Sequence, residues 1–326
     1  MSEQKKLLLR ANDISIVFGG LRAVSDFSCE LHEGELVGLI GPNGAGKTTT
    51  IKMLTTMLIP SSGTMNVLGY DVEQSYKPLR SKINFILGGE RNLYWRLSAH
   101  DNLAYFADLY KIPREVQKEK IPALLKLVEL EEASDRLVET FSKGMKQRLQ
   151  IARGLLNDPE ILFLDEPSIG LDPLSARKLR QILKQLNEQG TTILLTTHYM
   201  YEADELCDRI AFINKGEIVM IDTPANIKAK LGSGATVECT LITEETSPIL
   251  KRFQAQGFHQ VEMKLEGEVV KCKAQVEQPQ AFISALYEMK QLQIVDLAIM
   301  QTSLEDAYVQ LIGGEYLLGK RTVRTK

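Results

Sequence analysis

The glycine-rich stretch GPNGAGKT, Gly41–Thr48, carries the most specific chemical pattern in the sequence. It fits G-x-x-x-x-G-K-[ST] and stands between an apolar run typical of a strand and a run typical of a helix. Glycines let backbone amides turn toward phosphate oxygens, and a helix N-terminus adds positive potential. The alternative is a plain strand–helix connection. The residues that we expect to contact phosphates or the rest of a nucleotide here are Gly41, Pro42, Asn43, Gly44, Ala45, Gly46, Lys47, Thr48 and Thr49.

Two acids and a histidine follow two further strand-like runs. ILFLDEP places Asp165 and Glu166 directly after an apolar run, and TTILLTTH ends at His198. Because ligands of open α/β sheets bind at the carboxyl ends of the strands, these side chains are predicted to face the glycine-rich loop. The predicted chemistry is phosphoryl transfer to water: Lys47 binds the β- and γ-phosphates, Thr48 and Asp165 hold Mg²⁺, and Glu166 activates the water. A lone histidine such as His198 is usually structural, and its place at a strand end raises the alternative that it contacts the γ-phosphate.

The order of the elements predicts how these residues are positioned. Strand-like and helical stretches alternate, which favours an α/β fold with a mostly parallel sheet of the P-loop NTPase kind. Residues 95–160 are mainly helical in pattern and are predicted to form an inserted helical subdomain. Beyond a glycine-rich joint the order becomes βαββαβ, typical of a small ferredoxin-like α+β domain. We expect a nucleotide-binding domain over residues 1–231, an accessory or regulatory domain over 235–314 and a basic tail over 315–326.

The composition excludes several classes of protein. The net charge of −3 lacks the basic excess of nucleic-acid-binding proteins, so we expect no nucleic-acid partner. No apolar run reaches the roughly 18 residues of a membrane span, and the N-terminus lacks a signal-peptide pattern, so we expect a cytoplasmic protein. The cysteines form no CxxC pair, which favours reduced thiols over a metal site or a disulfide. They are Cys29, Cys207, Cys239 and Cys272.

Over about residues 5–230 these motifs, in this order, resemble the ABC (ATP-binding cassette) ATPase family. FSKGMKQR adds to the resemblance, because Ser142 and Gly144 match the second and fourth residues of the family's LSGGQ signature. The other three signature positions depart from it: Phe141, Lys143 and Met145. A serine and a glycine at a helix N-terminus are also suited to binding an anion.

The resemblance implies roles for further residues. Phe18 matches the aromatic residue that stacks on adenine, Asp172 in SIGLDP belongs to the D-loop, and His198 is the switch histidine. The family's usual glutamine after the second β-region aligns with Gly89 here, with Glu90 next to it. Three possibilities stay open: Glu90 substitutes for the glutamine, the site lacks that ligand, or the alignment is shifted by one residue.

The resemblance also implies a function, that of an ATP-hydrolysing subunit of a transporter with ATP and Mg²⁺ as cofactors. Two copies close head to tail, with Gly41–Thr48 of one facing Ser142 of the other, and a homodimer is favoured. The partner is a separate integral-membrane permease, which holds the chain on the inner face of the cell membrane. The SKGMKQR form, Trp95 and the C-terminal SLEDAYVQL are similar to those of bacterial export systems for drugs, antibiotics, polysaccharides or lipids.

Three alternatives compete with this reading. A non-transport ABC ATPase usually carries two cassettes or long coiled coils, and the sequence shows one phosphate loop and no sustained heptads. A P-loop kinase or GTPase does not explain the signature, and no N-K-x-D motif follows Asp165. A nucleotide-binding regulator without catalysis does not explain Glu166, and replacing that residue by glutamine discriminates between the two.

Overall fold

The computed structural model describes residues 5–311 except 75, 89–92, 232–234, 244–246, 259–260, 267–268, 277, 290–292, 302 and 310. The chain divides into two compact units, residues 1–223 and residues 224–326. Within the described part of the chain, no helix is both long enough and apolar enough to cross a membrane.

The first unit contains two sheets and the helices that cover them. Its strands are β1 (Leu7–Phe18), β2 (Leu21–His32), β3 (Leu36–Ile40), β4 (Ser62–Val67), β5 (Tyr70–Asp71), β6 (Ile83–Leu87), β7 (Ile161–Asp165), β8 (Thr192–Thr197), β9 (Arg209–Asn214) and β10 (Glu217–Asp222). Its helices are α1 (Lys47–Leu54), α2 (Tyr76–Leu79), α3 (Ala99–Leu109), α4 (Arg114–Leu127), α5 (Lys143–Gly154), α6 (Pro173–Glu188) and α7 (Met200–Leu206). Two short 3₁₀ helices, Glu131–Ala133 and Val138–Thr140, precede α5.

The larger sheet has the strand order β10-β9-β3-β8-β7-β6, and its neighbours run parallel except for β10, which is antiparallel to β9. Every residue of β3, β7 and β8 is buried, which explains their unbroken apolar or threonine-rich runs. Parallel order places the carboxyl ends of β3, β7 and β8 at one edge. The glycine-rich loop, the two acids and His198 leave the sheet there.

The smaller sheet, β2-β1-β4-β5, is antiparallel and was not predicted from the sequence. One hydrophobic cluster joins it to the larger sheet through α1, and includes Phe27, Val67, Ile51, Leu39 and Phe163. Helix α1 is therefore fixed from both sides, which fixes the loop that precedes it. Helices α3, α4 and α5 occupy the part of the chain between β6 and β7.

The second unit comprises α8 (Pro224–Leu231), β11 (Ala235–Ile242), α9 (Ser247–Ala255), β12 (Val261–Glu266), β13 (Val269–Val276), α10 (Pro279–Tyr287) and β14 (Gln293–Gln301). Its sheet is antiparallel in the order β12-β13-β11-β14, which is the ferredoxin-like arrangement. Phe253 stacks on Phe282 in its core, with 4.6 Å between the ring centroids. The predicted fold class, a P-loop sheet with a helical insertion and a small α+β domain, is confirmed.

The structure contains all four cysteines as free thiols. Although far apart in sequence, Cys239 and Cys272 are directly opposite each other on β11 and β13 and are buried in the core.

Candidate functional site

The glycine-rich loop leaves β3 after Ile40 and enters α1 at Lys47. Gly46 takes φ 104°, a left-handed conformation that favours glycine, and a Cβ there would lie 2.9 Å from the Ala23 carbonyl oxygen. A Cβ at Gly41 would overlap the carbonyl oxygen of Ile213. Both glycines are therefore required by close packing of the loop against neighbouring backbone, and the loop has one defined shape.

Lys47 is almost wholly buried, with 5% of its side chain exposed. Its Nζ donates to the carbonyl oxygens of Gly41 (2.9 Å) and Pro42 (3.2 Å), so the ammonium lies across the concave side of the loop. It is also 3.2 Å from Glu166 Oε1. A buried ammonium needs such partners. Its position lets it exchange them for phosphate oxygens without a large movement of the backbone.

Asp165, the last residue of β7, accepts hydrogen bonds from two threonine hydroxyls. Thr48 Oγ1 donates to Oδ2 at 2.9 Å, and Thr196 Oγ1 donates to Oδ1 at 2.6 Å. Thr48 comes from α1 and Thr196 from β8, so the carboxylate joins three elements. The predicted pair of metal ligands, Thr48 and Asp165, is in direct contact.

Glu166 lies between two basic side chains. Its Oε1 faces Lys47, and its Oε2 is 3.2 Å from Nδ1 of His198. The backbone at Glu166 has φ 48°, uncommon for a residue with a side chain, and its N–H donates to Thr196 Oγ1 at 3.0 Å. This turn directs the carboxylate from the end of β7 toward the loop. The structure thus brings together Lys47, Thr48, Asp165, Glu166 and His198.

A cavity of about 400 Å³ lies over the loop. Arg22 and Lys215 line it and were not predicted; they come from β2 and from the turn between β9 and β10. That turn is fixed to the loop, because Gly216 N–H donates to Ala45 O at 2.9 Å. Nothing local in the sequence distinguishes these two cations from ordinary surface residues. The other lining residues are Leu21, Ala23, Asn43, Gly44, Gly46, Lys47, Thr48, Thr49 and Glu166.

Phe18 does not line this cavity, although Leu21, which pairs with it across the β1–β2 turn, does. The ring is 48% exposed at the end of β1. Its role in stacking on adenine stays a prediction.

Ser142 and Asp172 begin two neighbouring helices. Ser142 Oγ accepts from Met145 N–H at 3.2 Å at the start of α5, and Asp172 accepts from Ser175 N–H at 3.0 Å at the start of α6. The hydrogen bonds from Ser175 lower the pKa of Asp172. Gly144 packs so closely on Ser175 that a Cβ would overlap its hydroxyl. Ser142, Gly144 and Asp172 do not line the cavity over the loop; they form a separate surface.

The end of β6 lies beside the two acids. Gly88 N–H donates to the Asp165 carbonyl at 2.7 Å, and a Cβ at Gly88 would lie 2.7 Å from that oxygen and 2.8 Å from the Glu166 oxygen. The question raised about Gly89 and Glu90 falls on residues outside the described part of the chain.

Comparison with protein families identifies residues 24–169 as a match to the family described as ABC transporter. The linearmycin resistance ATP-binding protein LnrL of Bacillus subtilis is 33% identical over 311 residues, which cover 94% of this chain and 98% of that protein. The daunorubicin/doxorubicin resistance ATP-binding protein DrrA of Streptomyces peucetius is 32% identical over 319 residues, which cover 96% of this chain and 94% of that protein. Both alignments extend through the second unit.

Among solved structures, the ATP-binding cassette MJ0796, in a dimeric post-hydrolysis state bound to ADP and Pi, matches with a TM-score of 0.59 and 26% identity. The match covers 66% of this chain and 98% of that one.

Proposed function

The chain belongs to the ABC transporter family of ATP-binding, ATP-hydrolysing subunits, and on that premise we propose that it powers export of a drug-like or antibiotic molecule through a separate membrane permease. Two relatives that align over nearly the whole chain carry names of antibiotic resistance, which supports this class of cargo. The observation that carries the proposed mechanism is the position of Glu166, between the loop lysine and His198 and next to the Thr48–Asp165 pair.

The residues at the loop suit a magnesium nucleotide. Backbone amides at a helix N-terminus bind phosphate, and Lys47 supplies the positive charge. A threonine hydroxyl and a carboxylate already in contact offer the hard oxygen ligands that Mg²⁺ prefers, so Thr48 and Asp165 would hold the ion. When bound, Mg²⁺ neutralises charge on the phosphate oxygens.

Glu166 performs the proton-handling part of the reaction in this proposal. Its carboxylate lies between Lys47 Nζ and His198 Nδ1, each 3.2 Å away, and is 17% exposed, so water can reach it. It orients the attacking water and accepts its proton. His198 lies beside the carboxylate, with Nδ1 3.2 Å from Oε2, and presents its ring toward the γ-phosphate.

We propose further that two copies close head to tail around two ATP molecules. The exposed Ser142 caps α5, a helix of 12 residues, and its hydroxyl and the helix N-terminus would face the γ-phosphate held by the partner copy. Asp172 lies on the same surface, because Ser175, which donates to it, also packs on Gly144. ATP then completes the interface between the two copies and shifts the population toward the closed dimer. Hydrolysis removes the γ-phosphate that connects one copy to the other.

The proposed location is the inner face of the cell membrane, where the permease holds the chain. Three aromatic side chains at the start of the helical insertion are partly exposed and could contact such a partner: Tyr94, Trp95 and Tyr105 are 47%, 48% and 41% exposed. Co-purification with a polytopic membrane protein tests this part of the proposal. An ABC ATPase that acts outside transport would instead purify without one.

The experiment that tests the mechanism compares Glu166→Gln with Glu160→Gln. Both glutamates flank β7, but Glu160 pairs with Lys82 at the end of the strand remote from the loop. We expect Glu166→Gln to lower ATP turnover by at least about 10²-fold, a typical loss for a general base. It should keep ATP affinity and accumulate an ATP-bound dimer, visible by size-exclusion chromatography. Glu160→Gln should behave like the wild type.

Unchanged turnover in Glu166→Gln would contradict the proposed role of that residue. The nucleotide site itself is tested by Lys47→Ala, which should abolish measurable Mg²⁺-dependent ATP binding. Retention of that binding in Lys47→Ala would contradict the whole proposal.

A further inference from the structure

A buried glutamate outside the cavity connects the two segments that carry Glu166 and His198. Glu202 lies on α7, four residues after His198, and is 2% exposed. Its Oε2 accepts a hydrogen bond from Ser168 Oγ at 2.9 Å and another from Thr197 Oγ1 at 2.7 Å. Ser168 is two residues beyond Glu166, and Thr197 directly precedes His198.

This connection lies where the backbone pairing of the sheet stops. Strands β7 and β8 pair in parallel as far as Asp165 and Thr196. Beyond that pair the chain turns at Glu166, where φ is 48°. The Glu166 N–H still donates to the Thr196 carbonyl oxygen at 3.1 Å, but among the described residues no further backbone bond joins the chain after Glu166 to the chain after Thr196. There one oxygen of Glu202 connects the two segments, by accepting a hydroxyl hydrogen bond from each.

The bonds around Glu202 leave little freedom in the segment of His198. Thr197 Oγ1 donates to Glu202 and also accepts from Tyr199 N–H at 3.0 Å. The Tyr199 ring packs on the His198 ring, with 4.1 Å between the centroids. A displacement of Glu202 would therefore move both neighbours of His198.

Stability alone does not explain an acid at this position. Oε1 of Glu202 is buried and has no hydrogen-bond partner among the described residues. Burial raises the pKa of the carboxyl group. A buried polar atom without a partner costs stability, so an amide side chain, whose single oxygen can still accept both hydroxyls, would suit folding at least as well.

We propose that Glu202 is a positioning residue for ATP hydrolysis, which holds the Ser168 and Thr197 hydroxyls on one oxygen and thereby keeps Glu166 within reach of His198. The proposal rests on the proposed function. It assigns Glu202 no contact with ATP, so its loss should affect the chemical step rather than the binding of ATP.

The test compares Glu202→Ala, Glu202→Gln and, as a matched control on the same helix, Glu205→Gln. Glu205 accepts from Arg180 Nε at 2.6 Å and lies outside the connection. We expect Glu202→Ala to lower kcat about 10- to 100-fold, as a small misplacement of catalytic groups does, with KM for ATP within about threefold. Glu202→Gln retains an oxygen that can accept both hydroxyls and should restore most of kcat. Glu205→Gln should match the wild type.

Two milder variants keep the test decisive if Glu202→Ala fails to fold. Ser168→Ala and Thr197→Val each remove one donor, and each should lower kcat without raising KM. Wild-type kcat in the double variant Ser168→Ala/Thr197→Val would overturn the inference, as would a rise in KM with unchanged kcat. These outcomes differ from those that would contradict the proposed function. In that case the wild type would lack ATP turnover, or Glu166→Gln would retain it.

Discussion

The two sheets that dominate the two units use their strand ends in opposite ways. In the parallel sheet, β3, β7 and β8 end at one edge and lead into polar residues, with left-handed backbone at Gly46 and Glu166. In the antiparallel sheet of the second unit, neighbouring strands end at opposite edges, and the pairing of β11 with β13 is regular from Ala235 to Leu241. Parallel strands place their carboxyl ends at one edge of the sheet, where the residues that follow them can form a site. Antiparallel strands place successive carboxyl ends at opposite edges, which favours uniform packing instead.

Asp165→Asn should produce the largest effect, and it tests whether the edge of the parallel sheet forms the catalytic site. The variant removes the charge that Thr48 and Thr196 both contact at the strand edge. We expect turnover to fall about 10²-fold or more, because a metal ligand contributes several kcal/mol to charge stabilisation. Steady-state ATPase kinetics over a range of Mg²⁺ concentrations check this. Asp158→Asn, at an exposed acid that pairs with Lys120, is the control and should leave turnover unchanged.

Phe253→Ala tests the second half of the comparison, because it damages packing where no chemistry is proposed. The side chain is fully buried against Phe282. We expect the unfolding free energy of the second unit to fall by about 3–5 kcal/mol. The ATPase kcat should stay within about twofold of the wild type. Denaturant unfolding followed beside activity measures both, and Tyr287→Ala, at a residue 71% exposed, should change neither.

A large loss of turnover in folded Phe253→Ala protein would break the comparison, since the second unit would then contribute to the chemical step.

Gly144→Ala should have an intermediate effect at the surface that carries Ser142 and Asp172. The added Cβ overlaps the side chain of Ser175, so we expect a loss of about 1–3 kcal/mol in unfolding free energy. The double variant Gly144→Ala/Ser175→Gly relieves the overlap but loses the hydrogen bond from Ser175 Oγ to Asp172, so it should regain only part of that stability. Thermal unfolding measures the difference, and equal stability of the wild type and the single variant would contradict the tight contact.

Lys178→Met should have the smallest effect and a defined pH dependence. The hydrogen bond from Lys178 at 2.8 Å lowers the pKa of Glu129. A lowered pKa stabilises the fold above the ordinary glutamate pKa of about 4.3, and this contribution is lost as the pH falls through the folded value. Both side chains are partly exposed, so the contribution at pH 7 should be under about 1 kcal/mol.

The unfolding free energies of the Lys178 variant and the wild type should therefore differ at pH 7 and converge as the pH falls below the ordinary glutamate pKa. Lys184→Met on the same helix is the matched control, because Lys184 forms no ion pair with a described residue. A difference that grows on acidification would contradict the assignment.

Much of the fold could be predicted because its signals are local. The buried runs at Leu36–Ile40 and Ile161–Asp165 and the loop at Gly41–Thr48 carry their own evidence in a few neighbouring residues. The βαββαβ order of the second unit likewise follows from consecutive elements. The smaller sheet of the first unit was missed because β1 pairs with β4, which lies more than forty residues away along the chain.

The parts of the site that could not be predicted depend on contacts between distant segments. Arg22 and Lys215 meet at the cavity only because the turn at Gly216 bonds to Ala45. From the sequence alone, Glu202 is an ordinary polar residue of a short helix, and its hydrogen bond with Ser168 is visible only in the structure. Phe18 shows the reverse case, since its expected role came from resemblance and its ring lies outside the cavity lining.

The contact of Ser175 with both Gly144 and Asp172 has a consequence for how a partner copy would meet this chain. Ser175 donates to Asp172 and leaves no room for a side chain at Gly144, so the beginnings of α5 and α6 pack around one serine. A partner copy would therefore meet the two helix starts as one continuous surface, and a change at Ser175 would alter both.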